Sequence, residues 1–391
     1  MNRKIFFASG SKIGLFYGDK LSYMESNYLK SYKKNLKEIA DRKAWKSGGT
    51  GAAFRGDLTE FGLKNIENKD EHAKVNGITP LQDGARVIYS IEFDGYSGIF
   101  IKSHSGDESE QHVLHGNKET FYNLDYNAAS NELVVSMSDS SMEKHLAVMD
   151  VKNGHYHMLT EGDSIDENPV WSKSNPQHIY YDSKGIGRGE SGQLLGYSAK
   201  EIYRLDLESS EIEEVVSIKN FDCFLPKEDG RENLYFIKKP YYMSEKKPAA
   251  GFKDFVLIPV KLLKAVFRFL EFFTMRYTGE TFKTRGNNPA KGKQDPKLMF
   301  IYENLVNAEK NMEENRVSGE KYPGIAPRTW ELVRLDSSGK SVTVKKGVID
   351  FDITSEGEII YSNGRYIMKL SKDGKEHMLQ ETELVSKIKV L

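Results

Sequence analysis

Across 391 residues, 56 Lys and Arg nearly balance 57 Asp and Glu, so no molecule-wide basic field exists to hold nucleic acid. A single cysteine, Cys223, excludes an intramolecular disulfide framework, suits a reducing compartment and reads as a small buried hydrophobe within the apolar run 221–225. No run of about 18 uncharged apolar residues is present to cross a membrane, and the amino terminus lacks the apolar core of a secretory signal, which makes the cytoplasm the expected location.

Taken in order, the chain repeats one unit. KIFFASG at Lys4, RVIYSIE at Arg86, ELVVSMS at Glu132, HIYYDSK at His178, NLYFIKK at Asn233 and EIIYSNG at Glu358 align as equivalent strands. Each is a β-branched or aromatic run bounded by turn-forming residues. A further strand follows each one, at Ile13, Gly98, Leu146, Ile202, Leu332 and Ile367. Inner strands precede five of the six, at 75–81, 120–125, 168–172, 221–225 and 348–353. The pattern predicts an all-β chain forming one six-bladed β-propeller over 1–391. Its blades are placed at 1–57 plus 384–391, 73–117, 118–162, 163–219, 220–347 and 348–383. The first blade lacks an inner strand, and the spare residues 384–391 are expected to return and supply it, closing the ring and removing a free sheet edge.

The repeat is evenly spaced from Tyr89 through Val135 to Tyr181. Extra residues lie at 43–73 between blades 1 and 2, at 184–199 in blade 4 and at 238–328 in blade 5. In an antiparallel four-stranded blade, the link from second to third strand and the link to the next blade leave on the same face. All three insertions are therefore expected on one side of the disc, where function is sought.

In the fourth repeat, Leu159-Thr160, Pro169, Trp171-Ser172 and Ile202-Tyr203 resemble the repeat of TolB-type propellers, found also in the propeller domains of prolyl-oligopeptidase-like enzymes. The turn Ser174-Asn175-Pro176 departs from that family's Pro-Asp-Gly. The resemblance implies the fold and leaves function open, because such propellers host binding and catalysis alike. No Gly-x-Ser-x-Gly motif and no room for a hydrolase domain accompany it, so the peptidase branch finds no support.

The blade 5 insertion, 240–328, is expected to be mainly helical. Pro259 suits a first turn and Gly279 a stop. Between them Lys261, Lys264 and Arg268 form a narrow basic stripe beside Phe267, Phe269, Phe272 and Phe273, with Phe255 just upstream. Such a helix fits a cap on the propeller or on a second helix at 298–312, an anionic membrane surface, or a partner's groove. Trp45, Arg55 and Arg188, in or beside glycine-rich loops, are candidates to meet an anion or other ligand. Acidic residues on inner strands, Asp125, Asp166, Asp222 and Asp350, are expected to line the channel in contact with solvent. His112, His115, His155 and His157 read as surface residues of outer strands, and neither metal nor cofactor is expected. The chain is read as a non-catalytic interaction scaffold, attached through its insertion to a protein partner or to the inner face of a membrane. The competing class is a small-molecule binder or a hydrolase- or lyase-type enzyme, with its site at the channel mouth beneath the insertion.

Overall fold

The structure is a computed structural model that describes residues 3–47, 73–104, 109–139, 142–189, 191–241 and 298–391. The chain divides into two compact units. One, comprising Met1–Lys30, Ala73–Tyr241 and Pro296–Leu391, is the propeller. The other comprises Ser31–His72 and Tyr242–Asp295, and only the helical residues 31–47 of it are described.

Six antiparallel sheets make the blades. Blade 1 holds β1 (Lys4–Ser9), β2 (Lys12–Tyr17) and β3 (Lys20–Glu25). Blade 2 holds β4 (Lys74–Pro80), β5 (Arg86–Phe93), β6 (Tyr96–Ser103) and β7 (Glu110–Gly116), and blade 3 β8 (Thr120–Asn127), β9 (Glu132–Ser138), β10 (His145–Asp150) and β11 (Tyr156–Met158). Blade 4 is built from β12 (Ser164–Trp171), β13 (His178–Arg188), β15 (Glu201–Asp206) and β16 (Ile212–Val216), with β14 (Leu194–Tyr197) pairing the extended end of β13. Blade 5 is β17 (Phe221–Glu228), β18 (Leu234–Pro240), β21 (Glu331–Leu335) and β22 (Ser341–Lys346), and blade 6 is β23 (Asp350–Ile353), β24 (Ile359–Ser362), β25 (Tyr366–Leu370) and β26 (Glu376–Glu381). Between β18 and β21 come a hairpin, β19 (Leu298–Ile301) with β20 (Asn304–Asn307), and the helix α2 (Ala308–Val317).

The ring closes as expected. β27 (Lys387–Val390) pairs antiparallel with β1, setting Ile5 opposite Val390 and Ala8 opposite Lys387. Ser386 N donates to Ala8 O at 2.9 Å, and Leu391 N donates to Lys4 O at 3.0 Å.

Burial explains the composition of the repeat. Second strands such as β1, β5 and β9 are sandwiched between neighbouring blades and are apolar on both faces, whereas the outer strand β11 is wholly exposed. Apolar clusters lie between successive blades, as where Val134, Leu146 and Val148 of blade 3 meet Trp171, Ile179 and Leu205 of blade 4. Carboxylates clasp blade 3 to blade 4, blade 4 to blade 5 and blade 6 to blade 1. Asp125 accepts from Trp171 N at 3.0 Å, Asp182 from Leu225 N at 3.0 Å and Asp352 from Val390 N at 2.8 Å. Such charge-assisted bonds are stronger than neutral ones. Gly77 on β4 sits so close to blade 3 that a Cβ there would meet Tyr122 O at 2.6 Å, so the inner ring has no room for a side chain at that point.

Two local expectations change. No helix spans 298–312: that stretch opens with the β19–β20 hairpin, and α2 starts only at Ala308, after Asn307 caps Lys310 N at 3.0 Å. Conversely, a helix that the repeat spacing did not reveal, α1 (Asn27–Ser47), follows blade 1. Ser26 Oγ accepts from Leu29 N at 3.3 Å, and Glu110 of β7 accepts from Asn27 N at 3.1 Å and Tyr28 N at 3.0 Å. The helix has no acidic residue in its first turn. Glu110 supplies from another blade the negative charge that a helix N-terminus favours.

Candidate functional site

The inner strands of all six blades converge on one central cavity, lined by Gly77, Asn123, Asn168, Leu225, Asp350 and Lys387 among others. Bulges on β4, β8, β12 and β17 break the in-out alternation there, so charged side chains are brought to the axis. The carboxylates expected to stand in solvent are instead paired. Asp125 takes Lys389 Nζ at 2.5 Å, Asp222 takes Lys239, and Lys227 lies 3.5 Å from Asp350 and 3.6 Å from Asp352. Asp166 is buried among hydroxyls, accepting from Thr160 and Ser183 at 2.6 Å each.

Blades 3 and 4 carry the densest part. Glu167 lies between Lys144 and Lys200, one ammonium on each oxygen. Lys200 also lies 3.5 Å from Asp182 and 3.8 Å from Glu303, and Glu303 pairs with Lys184 at 2.6 Å. Charges thus alternate from Lys144 through Glu167, Lys200 and Glu303 to Lys184. Burial alone would raise the Glu167 carboxyl, but Lys144 and Lys200 outweigh it and hold it well below its ordinary value. Asp182 goes the other way. Burial pushes it up to about 6 against the pull of Lys200, and its Oδ1 has no hydrogen-bond partner among the described residues.

The hairpin reaches the axial charges through its turn. Tyr302 and Glu303 form its two-residue turn, both with positive φ, 45° and 61°, as a type I′ turn requires. The Tyr302 hydroxyl lies 3.1 Å from Asp350 Oδ2 and 3.1 Å from Ser386 O. Burial, and then Asp350, raise its pKa well above the ordinary value, so it stays protonated. Lys387 Nζ stands 4.6 Å over the Tyr302 ring and 3.3 Å from Asn168 Oδ1, and burial lowers its pKa to about 8. At the hairpin's base, Ile301 and Val306 join the apolar cluster of Phe224, Trp330 and Phe351. The turn is therefore fixed in the body of the propeller. The cavity that remains at the axis measures about 30 Å³, enough for a water or two.

The structure distributes the candidate residues unevenly. Arg188 is engaged by Asp163 at 2.5 Å and by Glu143, so its charge is already neutralised. Trp45 falls in the last turns of α1, and its side chain lies outside the described residues, as do Arg55 and the whole set Phe255, Lys261, Lys264, Phe267, Arg268, Phe269, Phe272 and Phe273. Sequence reasoning missed the lysines that answer the channel acids, Lys200, Lys227, Lys387 and Lys389. The available signal was their place on, or just before, blade strands. Cys223 is buried and its thiol is pushed up to about 12 by burial, as suits a packing residue. Among the described residues, no group of three or more His, Cys, Asp and Glu side chains is placed to hold a metal ion, and no helix is long and apolar enough to cross a membrane.

The ring is a six-bladed β-propeller, similar in fold to TolB proteins. Superposed on TolB from Acinetobacter baumannii, it gives a TM-score of 0.50 at 8% identity, covering 99% of this chain and 66% of that one. A chain of the nidogen–laminin complex gives 0.50 at 7% identity, over 99% of this chain and 98% of that one. A putative TolB from Agrobacterium tumefaciens gives 0.35 at 12% identity, over 62% and 72%. No protein-family model matches the chain, and no curated protein sequence does. At these identities the likeness is one of fold.

Proposed function

We propose that this protein is a non-catalytic interaction scaffold that works from its loop-bearing face, with the 240–328 insertion as the element attaching it to a partner protein or to an anionic membrane surface on the cytoplasmic side. The observation that carries this reading is the state of the channel. Small-molecule sites are clefts of about 300–1,000 Å³, whereas the axis keeps about 30 Å³ and its acids Asp125, Asp350 and Asp352 are paired with lysines. A substrate at the mouth would have to displace Tyr302 and Glu303 from Asp350, Lys184 and Lys200. Strongly shifted carboxylates are present, as in many active sites, but among the described residues Glu167 and Asp182 stand outside the lining of the axial cavity.

Two further points support the reading. A chain of the same fold occurs in the nidogen–laminin complex, so the architecture is compatible with holding a protein. The basic and aromatic pattern from Phe255 to Phe273 suits an apolar groove or a headgroup layer. The test uses the full chain and a variant carrying Lys261→Glu, Lys264→Glu and Arg268→Glu. Each is sedimented with phosphatidylserine–phosphatidylcholine vesicles, and a photo-crosslinking residue at Phe269 records protein contacts in cells. Vesicle binding lost in the variant assigns the membrane. A defined cross-linked protein, absent with the variant and without vesicle binding, assigns a protein partner. Neither result from a folded chain would sink the proposal.

A further inference from the structure

The second blade carries a feature unrelated to the channel. His112 and His115 are three residues apart, a spacing that in a regular strand sends side chains to opposite faces. β7 is not regular. Its register against β6 sets Gly98 opposite His115, Ile99 opposite Leu114 and Phe100 opposite His112, with the shift between Ile99 and Phe100. Val113 is the extra residue of a bulge and is buried. Gly98 and Phe100 share one face of β6, so the bulge brings both histidines to that same face, at the spacing of alternate residues on the neighbouring strand.

The rings meet there. Their centroids are 4.3 Å apart at 76°, and His115 Nδ1 contacts His112 Nε2 directly. Both side chains are exposed. Each is braced by an aromatic ring, His115 by Tyr28 at 5.4 Å and His112 by Phe100 at 5.6 Å. Gly98 leaves the space they use, since a Cβ there would come within 3.0 Å of His115 Cβ and 2.7 Å of the Phe100 ring.

We infer that His112 and His115 form a surface clamp for one divalent first-row transition ion of the imidazole-preferring kind, Zn²⁺, Ni²⁺ or Cu²⁺. Two ring nitrogens facing each other share one proton at most. An ion of this class takes the place of that proton, which moves to the other nitrogen of its own ring; the ion accepts a lone pair from each ring and completes its coordination with water. The ordering already imposed by the bulge and the two aromatic rings lowers the cost of bringing the ligands together.

The full-length protein, stripped with a chelator and desalted, is titrated calorimetrically with Zn²⁺, and with one equivalent of Cu²⁺ its electron paramagnetic resonance spectrum is recorded. One site is expected, with hyperfine structure from two nitrogens. His112→Ala and His115→Ala should each weaken it by about tenfold or more, the scale on which even outer-shell changes act. The double substitution His155→Ala with His157→Ala, on and beside the outer strand of blade 3, should leave it unchanged. Only weak uptake at several sites, equal binding by the single variants, or loss of the signal in the blade 3 variant would overturn the assignment. Both residues are exposed, so folding of the variants is verified by an unchanged melting profile.

Discussion

The axis and the rim of this propeller use the same ion-pair chemistry under opposite conditions. At the axis, Glu167 holds Lys144 and Lys200 with side chains 10%, 17% and 7% exposed. At the rim, Arg204 of β15 pairs with Glu213 of β16 at 36% and 61% exposure. Desolvating an ion costs several kcal/mol, and only a fully arranged set of partners offsets it. A solvated pair gains about 0–1 kcal/mol. The axial charges are thus bound to one another by necessity, whereas the rim charges are free to trade their partners for water.

The largest effect should come from breaking the axial set at its centre. Glu167→Gln keeps the side chain's size but leaves Lys144 and Lys200 facing an uncharged amide, and should cost about 3–5 kcal/mol in urea unfolding. A change as small as that of a surface pair would show that the axis is hydrated after all.

Asp182 sharpens the comparison within the axis itself, because its carboxyl shifts the other way. Its folded value, about 6, exceeds the ordinary 3.8. Ionised Asp182 is therefore a cost that is present above about pH 6 and is relieved as pH falls from there towards 4. At about 1.4 kcal/mol per unit, Asp182→Asn should stabilise the fold by up to about 3 kcal/mol at pH 7.5, and the gain should fade by pH 4. Glu167, held low, contributes stability that is present above its ordinary 4.5 and is lost only as pH falls well below that. Unfolding measured at pH 7.5, 5.5 and 4 separates the two, and a pH-independent Asp182→Asn effect would refute the assignment.

Much of the ring was legible in the sequence, because blade strands are local and each turn announces itself. The second strands at Phe7, Tyr89 and Tyr361 are buried as their composition implies, and the return of the chain's end to β1 followed from a missing strand. The axis was not legible. Asp125 meets Lys389, and Asn168 meets Lys387, across separations that no local pattern encodes, and the bulges decide which side chains turn inward. The hairpin failed for a related reason. The pair Tyr302-Glu303 carries neither the glycine nor the asparagine that marks a type I′ turn, so its apolar flanks passed for a helix. For α1 the signal existed, in Ser26 before an apolar spacing at Leu29, Tyr32 and Leu36. Counting insertions against the repeat overlooked it.

Tyr302 links the hairpin to the axis through a single hydroxyl, so Tyr302→Phe isolates that link. It removes the contacts with Asp350 and Ser386 O while keeping the ring beneath Lys387. The expected cost is about 1–3 kcal/mol, the usual loss when a buried acceptor is left without its donor. Hydrogen exchange at the amides of Tyr302 to Asn304 should quicken more than at blade 3. Uniform quickening would mean that the turn is held by its apolar base alone.

The smallest effect belongs to the rim. Arg204→Ala removes the partner of Glu213 on two adjacent outer strands, and water replaces it at once. The loss should stay below about 1 kcal/mol and shrink further in 0.5 M salt, where screening weakens exposed pairs. Glu167→Gln should respond far less to the same salt, since ions in solution do not reach a side chain held between buried Lys200 and largely covered Lys144. If the two variants shift equally with ionic strength, burial is not what distinguishes axis from rim, and the reading of the axis as a desolvated charge network fails with it.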